Sequence, residues 1–257
     1  MYRSKRYRVR PVDDVVAEVR GAAAMGMRPR RLFLADGDAL AAPTDALVTV
    51  LEAVREHLPD VQRVGVYGDS RAILARGPEA LSSLRDLGLG IVYFGAETGD
   101  PETLRSVRKG TTVARQVEAS RMVREAGLKL SVMVLLGLAG VQHGERHARA
   151  TGRFLVEAAP TYAAALVVTP VPGTEMHDDV VAGRFQLPSR WESLQELRWM
   201  LEEMEGFRGP FHANHASNHL PLKLRLPRDR DGALALIDDV LARRDESRLR
   251  PEWMRGL

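Results

Sequence analysis

Short apolar runs of strand length alternate with longer amphipathic stretches of helical period, and the alternation repeats along most of the chain. The apolar runs are Arg31–Ala35, Arg63–Tyr67, Ile91–Ala96, Leu130–Leu136 and Ala163–Thr169. Between them the spacing predicts helices over Val12–Met25, Thr44–His57, Pro78–Leu87, Thr112–Ala126 and Gly144–Ala158. Strand starts recur about every 30 to 40 residues, the rhythm of βα units with right-handed crossovers and parallel strands. The runs are apolar nearly throughout, as strands are when both sheet faces are covered. Leu87-Gly88-Leu89 and Ala126-Gly127-Leu128 close two helices alike, with glycine where the chain must turn left-handed.

Five such units fit either a barrel or a doubly wound sheet. The residues following the runs favour the barrel: Asp36-Gly37-Asp38, Gly68-Asp69-Ser70-Arg71, Glu97-Thr98-Gly99-Asp100, Gly137 to Gly140, and Thr169-Pro170. A barrel assembles its site from many strand ends, whereas an open sheet gathers its ligand at one switch point. Past Pro170 the pattern weakens. Leu187-Pro188-Ser189 reads as the cap of a helix over Arg190–Glu205, Gly206–Arg230 as an irregular stretch rich in Asn, His and Pro, and Asp231–Arg244 as a last helix. The expectation is an α/β barrel core over residues 1–185, with an α-rich, partly irregular extension over 186–257 packed on it.

The 257 residues include no cysteine, so the chain's own side chains can form neither a disulfide nor a thiolate metal site. Lys plus Arg number 37 against 34 Asp plus Glu, a net charge of +3 that argues against a nucleic-acid partner. The basic residues gather at Arg3, Lys5, Arg6, Arg8 and Arg10 and again at Arg243, Arg244, Arg248 and Arg250, where a solvated flank explains them. No apolar stretch follows the basic start, because Asp13, Asp14, Glu18 and Arg20 interrupt it. The longest apolar run, Leu130–Val141, is too short to cross a bilayer. A cytoplasmic protein without a membrane partner is expected.

Four segments in register, Arg31-Leu-Phe-Leu-Ala-Asp-Gly-Asp38, Tyr93-Phe-Gly-Ala-Glu-Thr-Gly-Asp100, Arg108-Lys-Gly-Thr-Thr112 and Leu130-Ser-Val-Met-Val-Leu-Leu-Gly137, resemble the radical S-adenosylmethionine (SAM) superfamily, in the branch near the oxygen-independent coproporphyrinogen oxidases. The resemblance runs from Tyr2 to about Asp239. It implies a partial (β/α)6 TIM-like barrel, a SAM site and a [4Fe-4S] cluster held by a C-x3-C-x2-C loop after the first strand. By the same resemblance Asp36, Gly37 and Asp38 take the SAM amino group, Glu97 and Thr98 supply polar contact, and Gly137 to Gly140 lets main chain approach the adenine. The chemistry agrees, since a sulfonium carrying an ammonium group needs nearby carboxylates and a flat ring needs backbone without Cβ. The departure is at the start. Met1-Tyr2-Arg3-Ser4-Lys5-Arg6 and Arg8-Val9-Arg10-Pro11 resemble the segment that follows the third cluster cysteine, so the expectation is a barrel missing its first strand and cluster loop, through an internal methionine taken as the start or a genuine truncation. The chain then holds no metal ligands of its own.

Each assignment competes with a plainer one. Asp36 and Asp38 suit a tight turn and a cap. Tyr67, Asp69 and Arg71 stand at a strand exit, where substrate contact competes with an internal Asp–Arg pair. Lys109 before Gly110 suits a helix C-terminus. His143, Glu145 and His147 lack the His-Glu-x-x-His spacing of a zinc site. His212, Asn214, His215, Asn218 and His219 form a denser cluster, with Asn214, His215 and Asn218 read as substrate-facing or loop-ordering.

Two functions follow from the resemblance. One is a radical SAM enzyme that generates a 5′-deoxyadenosyl radical on an unknown substrate, with a reductant such as flavodoxin or ferredoxin, once the cysteine loop is supplied; the chain as it stands is inactive. The other is a degenerate barrel that serves as a SAM-binding or scaffold module. A phosphate-binding barrel would need a better cradle than Val171-Pro172-Gly173-Thr174.

Overall fold

The computed structural model describes residues 7–255. In chain order it contains α1 (Val12–Ala24), β1 (Arg31–Leu34), α2 (Thr44–His57), β2 (Arg63–Tyr67), α3 (Ser70–Asp86), β3 (Leu89–Glu97), α4 (Pro101–Ser106), α5 (Val113–Glu125), β4 (Lys129–Leu136), α6 (Gly144–Ala158), β5 (Tyr162–Val167), α7 (Glu175–Val181), α8 (Arg190–Glu202), β6 (Gly209–Ala213), β7 (Leu222–Leu226) and α9 (Arg230–Arg243). The seven strands follow one another in a single sheet in chain order, with β1 and β7 at its two ends. The described residues divide into two compact units, residues 7–95 with 118–131, and residues 96–117 with 132–255.

In the first unit β1, β2 and β3 pair in parallel, Phe33 opposite Gly65 and Tyr67 opposite Tyr93. Along β2 Val64, Gly65 and Val66 are all buried and Tyr67 at the strand end is exposed. Leu47, Val50, Leu51 and Val54 recur at helical spacing on α2 and supply its buried stripe. Helix α3 is longer than the sequence predicts. Asp69 caps it at Ser70, and the backbone break falls inside it, at Gly77 (φ 75°) before Pro78, so the predicted start at Pro78 is the kink of a longer element.

In the second unit α6 and α8 pack on one another through apolar stripes that include Phe154, Leu155, Leu197 and Met200. The stretch Gly206–Arg230 is not irregular. It holds β6, parallel to β5, and β7, antiparallel to β6 from Gly209↔Leu226 to Ala213↔Leu222. Pro210, His212 and the following Asn/His-rich loop hide this from a propensity reading; Phe211 and Ala213 become strand residues by pairing with a neighbour distant in sequence. Short helices α4 and α7 are likewise absent from the periodicity, being one or two turns set by the caps Asp100 and Thr174.

Candidate functional site

The exit of β1 is an acidic turn with unsatisfied chemistry. Asp36 (φ 97°) and Gly37 (φ 59°) are both left-handed and exposed, and Asp36 Oδ1 accepts the Gly37 amide at 3.1 Å. Asp38 is half-buried: its Oδ2 accepts the Asp69 amide at 3.3 Å, while Oδ1 is buried with no hydrogen-bond partner among the described residues. Burial pushes the Asp38 carboxyl up to about 6, the Asp69 amide opposing the rise and the Asp69 carboxylate adding to it. Asp69 goes the other way. Burial raises it, but the Ala72 amide, which it caps at 2.9 Å, and Arg71 at 2.8 Å outweigh burial and hold it low. Two adjacent carboxyls are thus split, one ionised and one retaining its proton towards neutrality. Arg76 bonds the carbonyls of Leu40 and Ala42 and fixes the turn from below.

Beside this turn, Phe33, Tyr67 and Tyr93 form an edge-to-face cluster on β1, β2 and β3, with centroids 4.7, 5.4 and 6.3 Å apart. Gly65 sits among them because a Cβ there would stand 2.9 Å from the Phe33 ring. Phe33 and Tyr67 are 38% and 42% exposed, so this sheet face presents an aromatic cluster to solvent. The opposite face carries the fully buried Val66, Val92 and Phe94.

In the second unit Glu97 ends β3 in the left-handed region (φ 67°), a conformation a glutamate adopts only under constraint. Its Oε1 accepts Lys109 Nζ at 2.8 Å. The next residues turn inward. Thr98 is fully buried, accepts the Asp100 amide at 2.8 Å and meets the Thr151 hydroxyl at 3.4 Å. Gly99 passes so close to α6 that a Cβ would fall 2.3 Å from that of Phe154. Asp100 caps α4, accepting the Thr103 amide at 3.1 Å and hydroxyl at 2.6 Å, and pairs with Arg146 at 3.0 Å.

Gly137 (φ 81°) and Gly140 (φ 69°) bracket the loop after β4. A Cβ on Gly137 would stand 3.0 Å from Pro188, and one on Gly140 3.2 Å from the Gln186 carbonyl, so the chain's own segment lies against the direction in which these glycines lack a side chain. Of the Asn/His cluster, Asn218 is buried and donates to the Ala165 carbonyl at 2.9 Å, and His215 Nδ1 lies 3.0 Å from the Ser217 hydroxyl. The Asn214 carbonyl accepts from Arg250 at 3.5 Å. Burial, with Arg255 adding, pushes His219 down to about 4, so it is neutral at pH 7. These contacts order the loop. Among the described residues no group of three or more His, Asp or Glu is placed to hold a metal ion.

The sequence reading passed over Phe33 and Tyr93, whose alternation with buried residues on short strands looks like ordinary core, and over Glu196. That glutamate falls among Leu194, Leu197, Met200 and Leu201 on the buried stripe of α8. A lone charge on an apolar stripe is the signal that could have found it.

Residues 2–149 match the family model of the radical SAM superfamily. The chain belongs to the radical SAM superfamily. Among curated relatives of this radical SAM protein, an uncharacterised protein of Methanopyrus kandleri is 33% identical over 146 residues, 52% of this chain and 27% of the relative. A putative methylthiotransferase of Methanocaldococcus jannaschii is 26% identical over 189 residues, 69% of this chain and 39% of the relative. The matches therefore span well under half of those relatives. Coproporphyrinogen III oxidase from Escherichia coli, a radical SAM enzyme, superimposes with a TM-score of 0.60 at 18% identity, over 76% of this chain and 45% of the oxidase. An Elp3 of Methanocaldococcus infernus lacking its N-terminus gives 0.58 at 13% identity, over 91% of this chain and 59% of that one. The fold is the α/β, partial-barrel-like arrangement of this family, with a sheet that is not closed.

Family membership raises two ligands, and the residues treat them differently. SAM carries an ammonium and a sulfonium, and the orphaned Asp38 Oδ1 in the β1 exit suits a cation. A [4Fe-4S] cluster requires thiolates, and the chain has no cysteine, so its donor set does not fit the cluster. No helix among the described residues is long and apolar enough to cross a membrane.

Proposed function

We propose that this radical SAM protein binds SAM, with Asp36 and Asp38 taking the ammonium group, Glu97 giving a further polar contact and the Gly137–Gly140 backbone the adenine. The observation that carries the reading is Asp38: a carboxyl pushed up to about 6 beside an ionised Asp69, with one oxygen buried and unpartnered. A cation brought to that oxygen stabilises the ionised carboxylate and satisfies it at once. Lys109 holds Glu97 at 2.8 Å, so a ligand cation at Glu97 shares the carboxylate with the lysine ammonium.

No reductive step is assigned to these residues, because none of them can hold a cluster. Formation of a 5′-deoxyadenosyl radical, with a flavodoxin- or ferredoxin-like reductant, belongs to a protein in which cysteines outside this sequence bind the iron. The rival reading is a non-catalytic barrel that keeps SAM or serves as a scaffold, and the aromatic face of Phe33, Tyr67 and Tyr93 would serve either.

Calorimetric titration of the 257-residue chain with SAM tests the binding reading, with saturable binding weakened by Asp38→Asn as the expected result. No binding under those conditions removes it. Translating the DNA upstream of Met1 then separates the alternatives. A C-x3-C-x2-C pattern there, and a brown protein that cleaves SAM when that segment is added, supports the enzyme; early in-frame stops favour the module.

A further inference from the structure

The seam between α6 and α8 holds polar groups in a place built for apolar ones. His147, Glu196 and Ser193 are 0%, 1% and 2% exposed. Glu196 Oε2 accepts the Gly137 amide at 2.7 Å; His147 Nδ1 lies 3.5 Å from the same oxygen, and Glu196 Oε1 and both His147 ring nitrogens have no hydrogen-bond partner among the described residues. The chain is shaped around the carboxylate: a Cβ on Gly144, the first residue of α6, would stand 2.8 Å from Glu196 Oε1. Leucine at position 196 would continue the stripe with no desolvation cost, whereas a buried carboxylate is expensive unless paired and hydrogen-bonded. The carboxylate supplies something a leucine cannot.

Its hydrogen bond shows what that is. β4 ends at Leu136, and Gly137 leaves the strand in the left-handed region. Gly140 donates back to the Gly137 carbonyl at 3.1 Å and Val141 to the Gln186 carbonyl at 3.2 Å. The bond from Gly137 to Glu196 secures the start of the same loop, from a helix about sixty residues further along the chain.

We propose that Glu196 is the positioning residue that fixes the Gly137–Gly140 loop and through it the backbone offered to the adenine. The adenine part of the statement rests on the SAM reading above; the loop part does not. Hydrogen exchange of the Gly137 amide in the full chain, with S-adenosylhomocysteine as the binding probe, tests both separately. Glu196→Gln keeps an acceptor but not its charge, and Gly137 exchange should rise about tenfold. Glu196→Leu should raise it further and weaken the probe by about tenfold. Should Glu196→Leu misfold because His147 is stranded, the double variant His147→Leu/Glu196→Leu replaces the whole pair with apolar groups of similar bulk, which buried pairs tolerate. It should fold with α6 and α8 amides protected as in the wild type, yet with Gly137 exchanging fast. Wild-type protection of Gly137 in the leucine variants overturns the proposal. Lost protection with undiminished probe binding also overturns it, because the loop would then not be what the ligand reads. Failure of the wild type to bind the probe strikes only the SAM reading, and the exchange result still decides the loop's anchor.

Discussion

Two acidic, glycine-containing turns leave this sheet, and they have opposite fates. After β1, Asp36 and Gly37 are exposed and left-handed, and the half-buried Asp38 keeps a buried carboxylate oxygen without a partner. Glu97-Thr98-Gly99-Asp100 after β3 is closed on itself from Thr98 onward, Thr98 taking the Asp100 amide and Asp100 holding Thr103 and Arg146. The two read alike as sequence, since Asp-Gly and Thr-Gly-Asp both spell turn and cap. The structure separates them by whether the carboxylate's hydrogen bonds are already made. A carboxylate whose valences are filled stabilises the fold; one whose valences are open is available to a ligand.

The largest effect should come from breaking the closed turn. Asp100→Ala removes the α4 cap, leaves the buried Thr103 hydroxyl without its acceptor and frees Arg146, for a loss of about 2 to 4 kcal/mol in urea unfolding. The exposed half of the Arg146 pair adds little to this. Burial raises the Asp100 carboxyl, but the Thr103 bonds and Arg146 outweigh it and hold it below its ordinary value. The folded form therefore binds its proton less readily than the unfolded chain. The stabilisation from Asp100 is complete above the ordinary carboxylate range and is lost as the pH falls through the folded value, so wild type and variant should converge in acid. A loss under about 1 kcal/mol at pH 7 would mean that this turn is as open as the other.

Sequence alone reached the βα rhythm because strands such as Arg63–Tyr67 and helices such as Thr44–His57 and Gly144–Ala158 carry an uninterrupted period. It did not reach β6 and β7, whose pairing depends on β5 more than forty residues earlier. The acidic turns were legible as positions at strand exits. Their difference was not, because it lies in contacts such as Thr98 with Thr151 and Arg146 with Asp100, made by residues about fifty positions apart. Glu196 went unread for the same reason: its partner Gly137 is fixed by tertiary packing.

Asp38→Asn tests the open turn and should act in the opposite direction. Because burial raises Asp38 to about 6, the folded state holds a proton that the unfolded chain gives up near pH 4. Between those values stability falls as pH rises, and above about 6 the full penalty is present. The asparagine variant should therefore be more stable than wild type at pH 7.5, on the order of 1 kcal/mol after allowance for partial exposure, and indistinguishable at pH 4. SAM affinity should rise with pH through about 6 in the wild type and lose that dependence in the variant. A stability loss at pH 7.5 would put Asp38 in the same class as Asp100.

Glu97 stands between the two cases, being left-handed and partly exposed but held by Lys109. Glu97→Gln keeps the shape and should cost under about 1 kcal/mol, as partly exposed pairs do. Lys109→Ala should cost a similar amount and tighten SAM, since the carboxylate would no longer be shared. Weaker SAM binding in Lys109→Ala would show instead that the lysine itself meets the ligand.

The smallest stability effect is expected at Asp36, and it gives the sharpest test of the comparison. With φ at 97°, Asp36 occupies backbone that alanine would resist, so an alanine variant would mix strain with lost charge. Asparagine tolerates the left-handed region nearly as well and can still accept the Gly37 amide that Asp36 Oδ1 takes at 3.1 Å. Asp36→Asn therefore removes only the charge. Unfolding free energy should change by less than about 0.5 kcal/mol, the usual range for a surface position. SAM affinity should fall by about three- to tenfold, because a charge-assisted hydrogen bond to the ammonium becomes a neutral one. At Asp100 the alanine substitution that removes the cap should show the reverse ratio, a large loss of stability and no specific loss of SAM. Equal ratios at the two positions would mean that filled and open valences do not distinguish the turns, and that the ligand must be sought away from the β1 exit.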